Sequence, residues 1–150
     1  MKRKSFEGNI CAVARTLDVI GDWWSLLIIR DAMGGVRRFS EFQRSLGAAK
    51  NILTTRLKAL VEHGILTTAP ASDGSAYNEY VLTAKGHALL PAIVALAQWG
   101  SDHLFDAHES CNVPVDRAHG EPLKKLMLVA QNGRELAPTE VSMTRVTEGD

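Results

Sequence analysis

The sequence predicts a mainly α-helical chain that carries one small β-wing and closes with a small, strand-rich extension. Three observations lead there. Apolar residues recur at helical spacing through most of the first two thirds of the chain. Two short strand-like stretches, Ile65 to Ala69 and Glu79 to Leu82, flank a polar Asp73-Gly74-Ser75 tip that favours a turn. Beyond Ala107 short apolar pieces alternate with Gly/Pro turns.

In chain order, Val13, Leu17 and Ile20 mark a helix from Cys11 to Ile20, which Gly21 ends. Asp22 is a good cap for a second helix over Trp23 to Ala32, and Gly34-Gly35 turns the chain. Arg37 to Phe39 forms a short extended piece. Ser40, with Gln43 three residues on, fits a capping box for a third helix from Glu41 to Leu46. Gly47-Ala48-Ala49 makes the tight connection to a fourth helix, Asn51 to His63. Its Leu53, Leu57, Leu60 and Val61 fall on one stripe, and Gly64 is placed to stop it in a left-handed turn. After the two strands, Thr83 caps a long helix reaching about Phe105, with a kink expected at Pro91. Its band of Leu89, Leu90, Ile93, Val94, Leu96, Ala97 and Trp99 is too wide for one small domain to cover, which suggests a second subunit. Helix, tight turn, helix, two strands and a capped helix is the order of a winged helix-turn-helix, here assigned to residues 1–106. Residues 107–150 form the extension, whose apolar pieces are Leu126 to Ala130 and Val141 to Val146, with the last four residues disordered.

Composition narrows the function. A chain of 150 residues with 45% hydrophobic residues accommodates one domain of about 100 residues and an appendage. No apolar run approaches the roughly 18 residues of a membrane span. The basic start of Lys2, Arg3 and Lys4 leads into Glu7, Gly8 and Asn9 instead of the apolar segment of a signal peptide, so a cytoplasmic location is expected. Two cysteines, Cys11 and Cys111, make no disulfide framework. Net charge is zero, yet unevenly spread. Residues 1–68 hold 11 Lys+Arg against 6 Asp+Glu, and residues 69–150 hold 6 against 11. A basic front and an acidic back is what a chain shows when one part faces phosphates.

Several stretches together resemble the HxlR family of bacterial transcription regulators, winged-helix relatives of the MarR group. They are Cys11-Ala12-Val13, Ile20-Gly21-Asp22-Trp23, Arg38-Phe39-Ser40-Glu41-Phe42, Leu53 to Leu60, His63-Gly64-Ile65-Leu66, Glu79 to Gly86, and Trp99-Gly100. The resemblance covers roughly residues 8–103 and implies a homodimer, paired through the first and last helices of that region, that presents two recognition helices to double-stranded DNA. Three departures stand out. Ala49 replaces a common Ser just before the recognition helix. Thr67 and Thr68 stand where the family often has Arg at the wing's base. The chain also continues about 50 residues past the point where many relatives stop.

On the fourth helix Thr55 points most directly away from the leucine stripe, with Asn51, Ala59 and Lys58 nearby and Thr54 and Arg56 at the flanks. A major groove admits one such helix. Asn51, Thr54, Thr55 and Arg56 are therefore expected to read sequence, while Arg37, Arg38, Lys50 and Lys58 anchor phosphates, with Ser40 beside them. A solvated polar face is the plain alternative. Cys11, ahead of a helix and near Lys2, Arg3, Lys4 and Arg15, is either a candidate redox switch, as the resemblance implies for some relatives, or a buried, inert thiol at the subunit boundary. Trp23, Trp24, Phe39 and Trp99 either line an effector pocket or belong to the core.

No cofactor or metal is expected. His103, His108, His119 and Cys111 offer a single thiol, and Val129 and Asn132 stand where the resemblance implies a second cysteine pair in some relatives. No nucleophile motif or phosphate loop supports catalysis. The expected function is a homodimeric, sequence-specific DNA-binding regulator, acting as a repressor on a roughly palindromic operator and modulated by a small-molecule effector or redox. A winged-helix protein-interaction module and a small-molecule-binding protein with a vestigial DNA role are the alternatives.

Overall fold

A computed structural model describes residues 4–147; Lys2, Arg3 and, from the expected disordered tail, Glu148, Gly149 and Asp150 lie outside the described residues. The chain divides within its last long helix into two units, Met1–Ile93 and Val94–Asp150.

In the first unit the helices that open at Trp23, Phe39 and Ala84 start where a side chain supplies an acceptor, whereas those that open at Ala12 and Lys50 have no side-chain cap. Cys11 is the extended residue ahead of α1, Ala12–Ile20. Asp22 opens α2, Trp23–Met33, by accepting from the Ser25 amide at 2.8 Å and the Ser25 hydroxyl at 2.6 Å. Helix α3, Phe39–Leu46, begins earlier than the Ser40–Gln43 box implies. Glu41 reaches back to accept from the Arg38 amide at 3.1 Å, which makes Arg38 the capped residue and leaves Ser40 exposed in the first turn. Gly47 closes α3 at φ 63° and leads into α4, Lys50–Glu62.

Leu53, Leu57 and Leu60 of α4 are at most 1% exposed, packed in one core with Ile28 and Ile29 of α2, Phe42 of α3, and Ile65 and Leu66 beyond. Gly64 adopts φ 71°, the left-handed turn expected of it, and reverses the chain into the wing. Strands β1, Leu66–Pro70, and β2, Asn78–Leu82, pair antiparallel from Leu66↔Leu82 to Pro70↔Asn78. Of the expected extended piece only Arg37 and Arg38 stay outside a helix, since Phe39 opens α3; the Tyr80 amide donates to the Arg37 carbonyl at 2.7 Å.

The long helix is broken where a kink was expected. Thr83 caps only α5, Ala84–His87, and α6, Leu90–His103, starts afresh with Pro91 in its first turn. Proline has no amide to donate, which does no harm in a first turn but would break a helix interior, so the helix restarts ahead of it. Gly86 is buried, and a Cβ there would sit 2.3 Å from the Ile65 carbonyl oxygen, so only glycine lets α5 close on the wing's root.

In the second unit regular structure is sparse. Its elements are the rest of α6, the two-residue strands β3, Leu128–Val129, and β4, Glu135–Leu136, a Val115↔Pro122 bridge, and one 3-10 turn at Pro138–Glu140. The expected Leu126 to Ala130 strand is thus shortened, and Val141 to Val146 is not a strand. No helix among the described residues is long and apolar enough to cross a membrane.

Candidate nucleic-acid interface

The leucine stripe decides which face of α4 is free. With Leu53, Leu57 and Leu60 turned inward, Lys50, Asn51, Ile52, Thr54, Thr55 and Lys58 are exposed. Thr54 and Thr55 donate their hydroxyl protons to the carbonyls of Lys50 and Asn51, both at 2.8 Å. Each hydroxyl keeps a lone pair for a further donor and each side chain keeps a methyl, so this face offers hydrogen-bond acceptors and apolar contact. Ile52 adds an apolar contact that sequence reasoning missed; with Asn51, Thr55 and Arg56 it lines a surface hollow of about 180 Å³. Its spacing of three and four residues from Thr55 and Arg56 was the available signal.

Arg56 is less free than its neighbours. Its Nε lies 3.4 Å from Asp22 Oδ1, so the guanidinium is drawn toward the start of α2. No side chain caps α4, because Ala49 stands at the N-cap. Ala49→Ser is expected to stabilise the fold by about 1 kcal/mol, read as a shift in the urea midpoint at constant m-value.

The two arginines ahead of α3 meet the wing. Arg38 pairs with Asp73, and its Nε lies 3.9 Å from Glu79; Arg37 Nη1 lies 3.4 Å from Glu79 Oε2. Glu79 is 4% exposed and also accepts from the Ser72 amide at 3.1 Å and hydroxyl at 3.0 Å. These contacts lock the wing to the helix-turn-helix. Arg37, with 53% of its side chain exposed against 30% for Arg38, keeps more capacity for another anion. A groove of about 510 Å³ runs beside them, lined by Arg38, Phe39, Ser40, Tyr77, Asn78 and Tyr80. Tyr77, 72% exposed, and Asn78 were not singled out from the sequence, because only the folded wing brings them to Ser40.

Hydrogen bonds from the Ser72 amide, and then from its hydroxyl and Arg37, hold the Glu79 carboxyl below its ordinary 4.5. The Ser75 amide and hydroxyl, followed by Arg38, lower Asp73 to about 2. A depressed carboxyl contributes stability above its unfolded pKa and loses it as pH falls through the folded value. Between about pH 6 and about pH 3, the melting temperature of Glu79→Gln is therefore expected to fall less than that of the unsubstituted protein, since glutamine keeps the acceptor for Ser72 but does not titrate.

Cys11 is exposed at the start of α1. Trp23 and Trp24 meet edge to face at 6.5 Å; Trp24 and Phe39 lean on the core, whereas Trp23 is 73% exposed. Trp99 lies in the second unit beside His103, with ring centroids 5.2 Å apart. A separate apolar cavity of about 150 Å³ lies between α1 and the root of the wing, lined by Thr16, Val19, Ile20, Ile65, Lys85 and Leu89. Among the described residues no group of three or more His, Cys, Asp or Glu is placed to hold a metal ion.

Residues 19–108 match the HxlR-like helix-turn-helix family. The chain is 44% identical over 99 residues, 66% of its length, to an HTH-type transcriptional regulator of Mycobacterium tuberculosis, of whose length it spans 61%. Among solved structures it resembles PA1607, with 50% identity and a TM-score of 0.88 over 95% of this chain and 100% of that one. The reduced form of the redox regulator HypR is similar at 29% identity and a TM-score of 0.56, over 63% of this chain and 94% of HypR.

Proposed function

This chain belongs to the HxlR-like helix-turn-helix family, and from that premise we propose that it is a cytoplasmic transcriptional regulator that binds double-stranded DNA as a homodimer. Helix α4 of each protomer enters the major groove, the two about 34 Å apart on one face of a roughly palindromic operator. Occupying a promoter in this way blocks polymerase without a further contact, so repression is the expected outcome. One observation carries the reading: α4 buries its leucines completely and turns Asn51, Thr54, Thr55 and Lys58 outward on a scaffold whose first half is basic.

The residue roles follow from exposure and chemistry. Asn51, Thr54 and Thr55 read base edges, with Ile52 beside them for thymine methyls. Lys50, Lys58 and Arg37 neutralise phosphates, while Ser40, Tyr77 and Asn78 offer neutral hydrogen bonds to the backbone. Arg38 holds the wing for this task, and Arg56 divides its charge between Asp22 and the DNA. Pairing of subunits is supported by apolar side chains left uncovered on the first and last helices, Val13 and Leu17 on α1 and Leu90, Leu96 and Trp99 on α6.

Modulation by redox has one specific support, the exposed Cys11 at the start of a subunit-pairing helix. Support for an effector comes from the apolar cavity under α1, apart from the expected Trp23, Trp24, Phe39 and Trp99 pocket.

Titrating the protein against its own upstream DNA at several salt concentrations tests the reading. Affinity is expected to fall steeply, each neutralised phosphate adding about 0.9 to the log–log slope. A flat response turns the assignment toward a protein partner. Cys11→Ser abolishing the response of DNA affinity to a mild oxidant supports the switch, and an unaltered response removes it.

A further inference from the structure

We propose that the C-terminal unit, from Val94 onward, is completed by the same unit of a second copy, so that the extension is itself a subunit-pairing element. The inference rests on the homodimer reading and adds to it a surface that the paired helices alone do not include.

The unit lacks a core of its own. Among its described residues only Val94 is buried. Fourteen large apolar side chains between Leu96 and Val146 are 41% to 82% exposed, among them Trp99 at 58%, Leu104 at 66% and Met143 at 78%. At such exposures they leave on the order of 1,000 Å² of apolar surface in water, by the area that side chains of this size bury when covered. The largest apolar patch on a monomer is about 300–600 Å². A stable interface takes about 800 Å² from each partner. Summed over a unit with one buried side chain among its described residues, the exposed apolar area thus reaches the size that a subunit interface takes.

Local geometry adds to this. A two-stranded ribbon is at best marginal in water, and successive residues of a strand face opposite ways. Leu128 and Val129 of β3 are 48% and 54% exposed and lie opposite Leu136 and Glu135, so each face of the β3–β4 ribbon presents a half-exposed apolar side chain. Gln98 of α6 clamps the approach to the ribbon, donating to the Lys124 carbonyl at 2.9 Å and accepting from the Leu126 amide at 2.8 Å, while Lys125 pairs with Asp102. The clamp lays residues 124–126 along the Gln98 and Asp102 side of α6, the helix whose Leu96 and Trp99 the homodimer reading assigns to pairing.

Charge argues against two other occupants. Residues 94–150 carry nine Asp+Glu against five Lys+Arg, which disfavours nucleic acid or an anionic bilayer. A second copy brings an identical apolar strip, and two-fold pairing buries both at once.

Sedimentation equilibrium of the full chain, unsubstituted and carrying Leu128→Glu with Val129→Glu, tests the proposal. Both positions are exposed in the single chain, so the monomer's circular dichroism and melting temperature are expected to stay unchanged while the dimer dissociation constant rises at least about 100-fold. Hydrogen exchange of the unsubstituted protein gives a variant-free readout, with protection at residues 126–130 expected to rise with protein concentration. An unchanged dissociation constant, concentration-independent exchange, or a destabilised monomer would overturn the proposal, the last by placing the ribbon against its own protomer. Separation from the underlying reading comes from Val13→Glu. If that variant dissociates the dimer and the β3 variant does not, only the role of the extension fails; an unsubstituted protein that remains monomeric removes both.

Discussion

Leu57→Ala is expected to destabilise the protein by about 2–5 kcal/mol, a large part of the roughly 5–15 kcal/mol that holds a domain of this size folded. Leu57 is fully buried at the middle of α4, in the same core as Ile28, Ile29 and Phe42. Truncation removes three carbons from a core that α4 shares with α2, α3 and β1, so the surroundings close only partly over the void. Equilibrium urea unfolding checks the expectation, read as a lower midpoint at constant slope. Thr55→Ala, two residues earlier on the exposed side, is expected to leave the midpoint almost where it was. A small effect at Leu57 would mean that α4 is not seated as described.

The second large effect concerns recognition. Asn51→Ala is expected to weaken operator binding by about 5- to 150-fold, the loss of one well-made base contact, and to relax the preference at a single base pair. Lys58→Ala is expected to weaken binding about equally for every sequence and to reduce the salt slope by about 1. Competition binding with operator and scrambled duplexes separates the two outcomes. The same loss at Asn51 on both duplexes would assign that side chain to the backbone.

Sequence reasoning reached most of what depends on neighbours along the chain. The Asp22 cap, the stripe of Leu53, Leu57 and Leu60, and the left-handed Gly64 follow from rules spanning no more than a turn or two, and the structure has each of them. The start of α3 was displaced because two acceptor patterns competed, and Glu41 reaching back to Arg38 won over Ser40 with Gln43. The break before α6 was misjudged as a kink because proline is equally consistent with a bend and with a new first turn. What stayed hidden was long-range pairing. Arg37 finds Glu79 across 42 positions and Arg38 finds Asp73 across 35, and nothing local marks those carboxylates as partners. The same holds for Tyr77 and Asn78, which become neighbours of Ser40 only after the wing folds back. In the extension, short apolar pieces promised more strand than forms, since a ribbon without flanking strands has few ladder bonds to extend it.

The root of the wing carries a mechanical consequence. Lys85 Nζ donates to the His63 carbonyl at 2.7 Å, the Thr83 hydroxyl donates to Gly64, and the Thr83 amide donates to Ile65 at 3.0 Å. Three consecutive carbonyls at the end of α4 are thereby pinned from one short segment, and Gly86 lets that segment approach without a gap. Such a joint has no hinge. In the homodimer proposed above, α4 is then expected to move together with the root of the wing, so a signal that loosens its hold on DNA would alter the distance to its counterpart instead of the pitch of either helix.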